Sequence, residues 1–258
     1  MHSTIVRAIL FISLIVLNFP VFALEGKDSI SSLHDCKNVH SINVADIVVP
    51  ASLFTASSLF VADGWFYDAK NDVQDALSAR GKDKIKIDDY IQYSPMVAVY
   101  ALDLCGVKAQ HKLLDRTILL AMSWATSTIL TQSMKFIFNE QRPDSEAHNS
   151  FPSSHTATVF MGAEFLRKEY ENMSPWIGYS GYAVALATGY LRIYNNRHFF
   201  NDVVAGACIG VLSTRLAYWL YPKIFKKSDC NKKSDGLSII GSPYFSTESI
   251  GLNLALTF

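Results

Sequence analysis

Lys135-Phe136-Ile137-Phe138-Asn139-Glu140-Gln141-Arg142-Pro143 opens a region that closes on Arg192-Ile193-Tyr194-Asn195-Asn196-Arg197-His198-Phe199-Phe200-Asn201-Asp202, with Pro152-Ser153-Ser154-His155 between them. Apolar stretches of helical length separate these three polar clusters. Residues 117–134 carry no charge and deliver Lys135; residues 172–191 carry none and deliver Arg192. Ser153 or Ser154 reads as the N-cap of a helix over 153–171, because a serine hydroxyl accepts from the orphan N–H groups of a first turn. A further helix is expected over 199–221, stopped by Pro222. Upstream, a charge-free helix is expected over 47–62. An apolar helix follows over 90–102, with Pro95 in its first turn and Asp103 and Gly106 closing it. No strand–helix alternation runs through this region, so the expected fold is all-α, a bundle of about six helices.

Work outward from that core and the pattern changes. The first 23 residues have a basic residue at Arg7, a short apolar run and Val21-Phe22-Ala23, which reads as a signal peptide cut after Ala23. Residues 24–44 read as a flexible lead, 45–222 as the helical domain, and 223–258 as a basic linker followed by a β tail. In that tail Ile250, Leu252, Leu254, Leu256 and Phe258 alternate with small or polar residues, a strand period that with 237–245 would make a short hairpin. Residues 65–89 are dense in both signs of charge and read as an amphipathic, solvated helix with a turn at Gly81.

Composition excludes some classes. Lys and Arg number 23 against 23 Asp and Glu, so there is no basic excess to hold nucleic acid. A mean hydropathy of +0.16 lies between soluble and polytopic membrane proteins. The four cysteines form no CxxC, which leaves no zinc or thioredoxin-like motif. Cys105 and Cys208 lie in apolar runs and read as core residues; Cys36 and Cys230 lie in polar flanks, where an oxidising compartment would permit pairing.

The chemistry rests on the three clusters. His198 and Asp202 are four apart, so on a helix they share a face and the carboxylate can fix the imidazole tautomer, freeing the other ring nitrogen as a nucleophile. Pro152-Ser153-Ser154-His155 enters a helix whose free N–H groups suit a phosphate, with His155 in the first turn as a proton donor. Lys135 and Arg142 add a point charge and a planar fork. Each signal alone has a structural explanation: an i,i+4 contact, a helix cap, a solvated helix end. Their joint order and spacing do not.

Together they resemble the type 2 phosphatidic acid phosphatase superfamily, which includes bacterial acid phosphatases and vanadium haloperoxidases. That family's pattern is K-x6-R-P, then P-S-G-H, then S-R-x5-H-x3-D. Lys135 through Arg142-Pro143, then Pro152, Ser153 and His155, then Arg192, His198 and Asp202 match it, over roughly residues 90–222. The chain departs at Ser154, where the family has Gly, and at Leu191, where it has Ser. The resemblance implies His198 as nucleophile through a phosphohistidine, Asp202 orienting it, and His155 protonating the leaving group and activating water. Lys135, Arg142 and Arg192, helped by the N–H groups of Ser153 and Ser154, would bind the phosphoryl oxygens, with no cofactor and no metal. Arg197 is a further candidate for substrate contact, while Glu140 and Asp144 are expected to salt-bridge locally.

The expected activity is a metal-independent phosphatase acting on a phosphomonoester or pyrophosphate of a lipid: phosphatidate, phosphatidylglycerol phosphate, polyprenyl diphosphate or lipid A. The expected setting is exported and membrane-associated, in the cell envelope or periplasm. A soluble periplasmic acid phosphatase of broad specificity, a vanadate-dependent haloperoxidase and a non-catalytic phosphate-binding relative stand as alternatives.

Overall fold

The computed structural model describes residues 44–61, 65–78, 85–225, 238–245 and 250–257. The expected signal peptide, the flexible lead up to residue 43, the turn at Gly81, Cys36, Cys230 and most of the basic linker lie outside them. Eight helices run in order among the described residues: α1 (Val44–Leu59), α2 (Trp65–Leu77), α3 (Asp88–Ile91), α4 (Ser94–Leu104), α5 (Leu113–Phe138), α6 (Ser154–Tyr170), α7 (Pro175–Tyr194) and α8 (Phe200–Phe225). The backbone of β1 (Ser238–Phe245) pairs antiparallel with β2 (Ile250–Thr257), Ser238 opposite Thr257 and Phe245 opposite Ile250. The helical domain is all-α.

Helix α6 is the axis of the bundle, with α8 and α7 packed most extensively on it and α4 and α5 on its remaining sides. Close approach of α6 and α8 depends on two glycines. A Cβ at Gly206 would lie 2.5 Å from the Ser153 carbonyl, and one at Gly210 would lie 2.3 Å from the Ala157 carbonyl. Three apolar clusters fill the interior, the smallest being Val159, Ala163 and Ala185. Val99, Leu119, Phe165, Leu166, Tyr170, Tyr218 and Tyr221 pack at one end. Phe54, Phe138, Phe151, Ala205, Cys208 and Ile209 pack toward the other, directly beneath the polar loops. Between them the interior is charged: buried Glu164 accepts from Arg167 and Arg215 and from the Tyr182 hydroxyl.

Several boundaries differ from the sequence expectation for identifiable reasons. Pro222 lies inside α8, which runs on to Phe225; a proline removes its own N–H bond and strains the turn before it, but need not end the helix. Pro50 likewise sits within α1 rather than heading it. The charged segment is not a solvated face throughout, since Lys70, Gln74 and Asp88 are buried. Cys105 is exposed, because α4 ends at Leu104 and releases it to the surface, whereas Cys208 is buried as expected.

The outside of the bundle is unusually apolar. Val49 and Leu53 on α1, Leu113, Leu114, Ile129 and Phe136 on α5, and Trp176, Tyr179, Leu186 and Tyr190 on α7 are all exposed. Among the described residues one helix, α8, is long and apolar enough by length and composition to cross a membrane.

Candidate active site

The three motifs meet at one end of the bundle because α5 and α7 end there and α6 and α8 begin there. Lys135 lies in the last turn of α5, which closes at Asn139 in the left-handed conformation (φ 46°). Its ammonium donates to the Asn149 and Ser150 carbonyls across the loop. Arg142 Nε donates to Asn149 Oδ1 at 2.7 Å, and the Arg142 N–H to the Ala147 carbonyl. Asn149 thus fixes both cations, a role the sequence pattern did not reveal.

Ser153 caps α6, its hydroxyl accepting from the Thr156 N–H and hydroxyl. Its own N–H donates to the Asp202 carbonyl at 3.0 Å. That bond ties the head of α6 to the head of α8, and it engages an N–H that the sequence reading assigned to phosphate. Ser154, the first helical residue, is half-buried. Leu191 lies one residue before Arg192 and is partly buried.

His198 is buried, 1% exposed, with Nδ1 3.4 Å from Asp202 Oδ2. The same oxygen accepts from the Phe199 N–H at 3.0 Å and from Ser150 Oγ at 2.5 Å. Three donors thus converge on one carboxylate oxygen. Burial lowers the His198 imidazole to about 4, with Asp202 opposing that shift and the charges of Lys135 and Arg192 adding to it. The ring is therefore neutral at ordinary pH, the form that can act as a nucleophile. Lys135 and Arg192 both act on His198, and burial together with the charge of Arg192 lowers Arg142. Two of the three cations thus act on the imidazole directly, and the third, Arg142, lies close enough to Arg192 to act on it.

Arg192 departs from expectation in its partners. Its Nη1 donates to Asp88 Oδ2 at 2.8 Å and to Asp89 Oδ1 at 3.2 Å. Asp89 Oδ1 also lies 3.1 Å from His155 Nε2. Asp88 is buried and further held by Asn195, whose side chain pairs both ways with the Ile85 backbone. The sequence offered no means of separating these two aspartates from the surrounding solvated charges. A cavity of about 180 Å³ opens beside them, lined by Lys86, Asp88, Asp89, Arg192, Asn195 and Arg197. Arg197 itself pairs with Asp144 at 3.1 Å. Glu140 does not pair locally: its partner is the buried Lys70 of α2, seventy residues away.

The sequence profile of the PAP2 superfamily matches residues 116–226, the segment that carries every one of these motifs. The chain belongs to the PAP2 superfamily. The chain is similar to the lipid A 1-phosphatase of Porphyromonas gingivalis, 34% identical over 198 aligned positions, the match covering 67% of this chain and 44% of that protein. It is also similar to the bacitracin transport permease protein BcrC of Bacillus licheniformis, 38% identical over 79 residues, 31% of this chain and 37% of that protein. The chain spans less than half the length of these curated relatives. In structure it resembles the transmembrane PAP2-type phosphatidylglycerolphosphate phosphatase of Bacillus subtilis, with a TM-score of 0.50 at 21% identity, covering 68% of this chain and 96% of that one. At that identity the likeness speaks for the PAP2 fold.

Proposed function

We propose that the protein is a membrane-embedded lipid phosphate phosphatase working through a phosphohistidine at His198. One observation carries the reading: a buried neutral imidazole, held through Nδ1 by Asp202, feels the charges of Lys135 and Arg192, with Arg142 close enough to act on Arg192. The Nδ1–H donates to Asp202, which leaves the Nε2 lone pair for phosphorus. Nε2 attacks, the P–O bond to the lipid breaks, and His155 gives its proton to the departing oxygen. Water then attacks the phosphohistidine, passing a proton to His155, and phosphate leaves. The three cations offset charge on the equatorial oxygens in both steps, the part a metal ion plays elsewhere.

Lipid as the substrate class is supported by the outer surface. Exposed Leu186 and Ile129 lie along the middle of α7 and α5, while Trp176 and Tyr179 sit at the end of α7 away from the site and Tyr190 near it. Apolar middles with aromatic residues toward both ends are the signature of helices in a bilayer. At 1.5 Å per residue α8 extends about 39 Å and α7 about 30 Å, enough for a hydrocarbon core of about 30 Å. A site at one end of such helices lies at headgroup depth, where a lipid phosphate is presented. The similarity to a lipid A 1-phosphatase makes a glycolipid phosphate the first substrate to try.

The test is phosphate release by purified protein in EDTA, wild type beside His198→Ala, on lipid A, phosphatidate, phosphatidylglycerol phosphate, a polyprenyl diphosphate and p-nitrophenyl phosphate. Release from a lipid that vanishes in the variant is expected. Release from the small ester alone would replace the lipid reading with a broad acid phosphatase, and loss of activity in EDTA would overturn the metal-independent chemistry.

A further inference from the structure

Two buried carboxyls meet behind His198. Asp202 uses Oδ2 for His198, Phe199 and Ser150; its other oxygen, Oδ1, is buried with no hydrogen-bond donor among the described residues. Glu140 uses Oε1 for Lys70, and its Oε2 is likewise buried without a donor. Ser150 links the pair: its N–H donates to the Glu140 carbonyl, and its hydroxyl to Asp202. The side chains are close enough for the charge of Asp202 to act on the Glu140 carboxyl. Two ionised carboxylates have only acceptors to offer one another, and burial makes their repulsion expensive. A single proton between them satisfies both orphan oxygens at once.

The charges agree. Lys70 is 1% exposed, enclosed by the rings of Tyr67 and Phe199 and by Glu140. With one proton shared, the two carboxyls carry one negative charge against the one positive charge of Lys70, and this buried group is neutral as a whole. With both ionised, the group of three would carry one net negative charge. Facing the pair are Lys70 from α2 and His198 at the head of α8. Lys135 and Arg142 interact with Asp202 through charge, and Lys135 and Arg192 with His198.

We propose that Glu140 is held protonated and donates to Asp202 Oδ1, so that Lys70, Glu140 and Asp202 form a relay of positioning residues that locks the His198 ring for attack. This deepens the reading of His198 as nucleophile and rests on it. Glu140 is pushed up to about 8 by burial and by the charge of Asp202, against the pull of Lys70, in keeping with that state at neutral pH. The relay gives Asp202 a donor at both oxygens, so the carboxylate cannot swing away from Nδ1 as positive charge develops on the imidazole.

Glutamine separates this arrangement from an ordinary ion pair. In Glu140→Gln the amide N–H₂ donates to Asp202 and the amide oxygen accepts from Lys70, reproducing protonated glutamic acid with the same total charge. Were Glu140 ionised and present only to neutralise Lys70, that change would strand a buried ammonium. The experiment compares full-length wild type, Glu140→Gln and Glu140→Leu in detergent by infrared difference spectroscopy, thermal melting and steady-state kinetics. The wild type is expected to show a protonated-carboxyl C=O band at pH 7 that is missing from Glu140→Gln and fades as pH rises through about 8. Glu140→Gln is expected to keep kcat within about threefold, whereas Glu140→Leu loses about 10- to 100-fold in kcat with KM little changed, the pattern of a mispositioned nucleophile. Absence of the band, or a Glu140→Gln variant that melts and turns over as poorly as Glu140→Leu, overturns the proposal. The infrared readout needs no turnover, so a failure of the phosphatase reading would show separately, as an inactive wild type that still carries the band.

Discussion

Asp88 and Asp89 are neighbours that both bind Arg192, and the structure assigns them opposite sensitivities to substitution. Asp88 is 1% exposed and meets a guanidinium that is itself buried. Asp88→Asn removes the charge and leaves Arg192 paired only with the solvent-facing Asp89. Removing one partner of a buried ion pair costs about 3–5 kcal/mol, and the remaining contact brings the expected loss toward about 3. At about 2–4 °C per kcal/mol for a domain of this size, the melting temperature falls by roughly 6–12 °C. The Asp89 side chain is 53% exposed, so its ion pairs with Arg192 and His155 are screened, and Asp89→Asn costs less than about 1 kcal/mol of stability. On the proposed function its effect is on ligands. The carboxylate occupies donors of Arg192 and His155 that would then be offered to a phosphoryl group, and its removal is expected to tighten inhibition by inorganic phosphate or vanadate by about fivefold, near 1 kcal/mol. The assay is thermal melting in detergent with and without vanadate, beside inhibition constants for both variants. An Asp89→Asn protein that melts as low as Asp88→Asn, or whose affinity for vanadate falls, would refute the reasoning.

Two further outcomes rest on the packing of α6 against α8 and on the burial of His198. Gly210→Ala places a methyl against the Ala157 carbonyl and 2.7 Å from the Met161 nitrogen, so α6 and α8 must separate; a loss of about 1–3 kcal/mol is expected, read as a lower melting temperature together with reduced activity, because the same two helices carry His155 and Asp202. His198 is lowered to about 4, so its ring is protonated only below that pH, and neutral above it. Ring resonances of labelled histidine, assigned by their loss in His198→Gln, should titrate near 4; titration near the ordinary 6.5 would contradict the burial argument.

The sequence made the fold legible through its longest signals. Eighteen uncharged residues before Lys135 and twenty before Arg192 have no reading but helix, and both proved to be helices that end at the site. The cap at Ser153 was equally plain, since its hydroxyl needs only residues three positions away. What stayed hidden depends on contacts between distant segments. Lys70 and Glu140 are seventy apart, and Asp88 and Arg192 one hundred and four. Nothing local distinguishes Asp88 from Asp72 or Asp75 in the same charged run. The buried proton between Glu140 and Asp202 was out of reach for a further reason: it follows from two oxygens lacking donors, a property of the packed interior alone.

The central claim is that His198 takes the phosphoryl group. Its most direct test is rapid-quench trapping with a lipid substrate labelled in the scissile phosphate, comparing wild type, His155→Ala and His198→Ala. The account predicts an acid-labile, alkali-stable phosphoenzyme in wild type, carried on the peptide containing His198, and in His155→Ala both slower formation and slower breakdown of it, because that variant lacks the acid of the first step and the base of the second. It predicts none in His198→Ala. A labelled phosphoenzyme that survives in His198→Ala, or turnover by that variant at the wild-type rate, would contradict it.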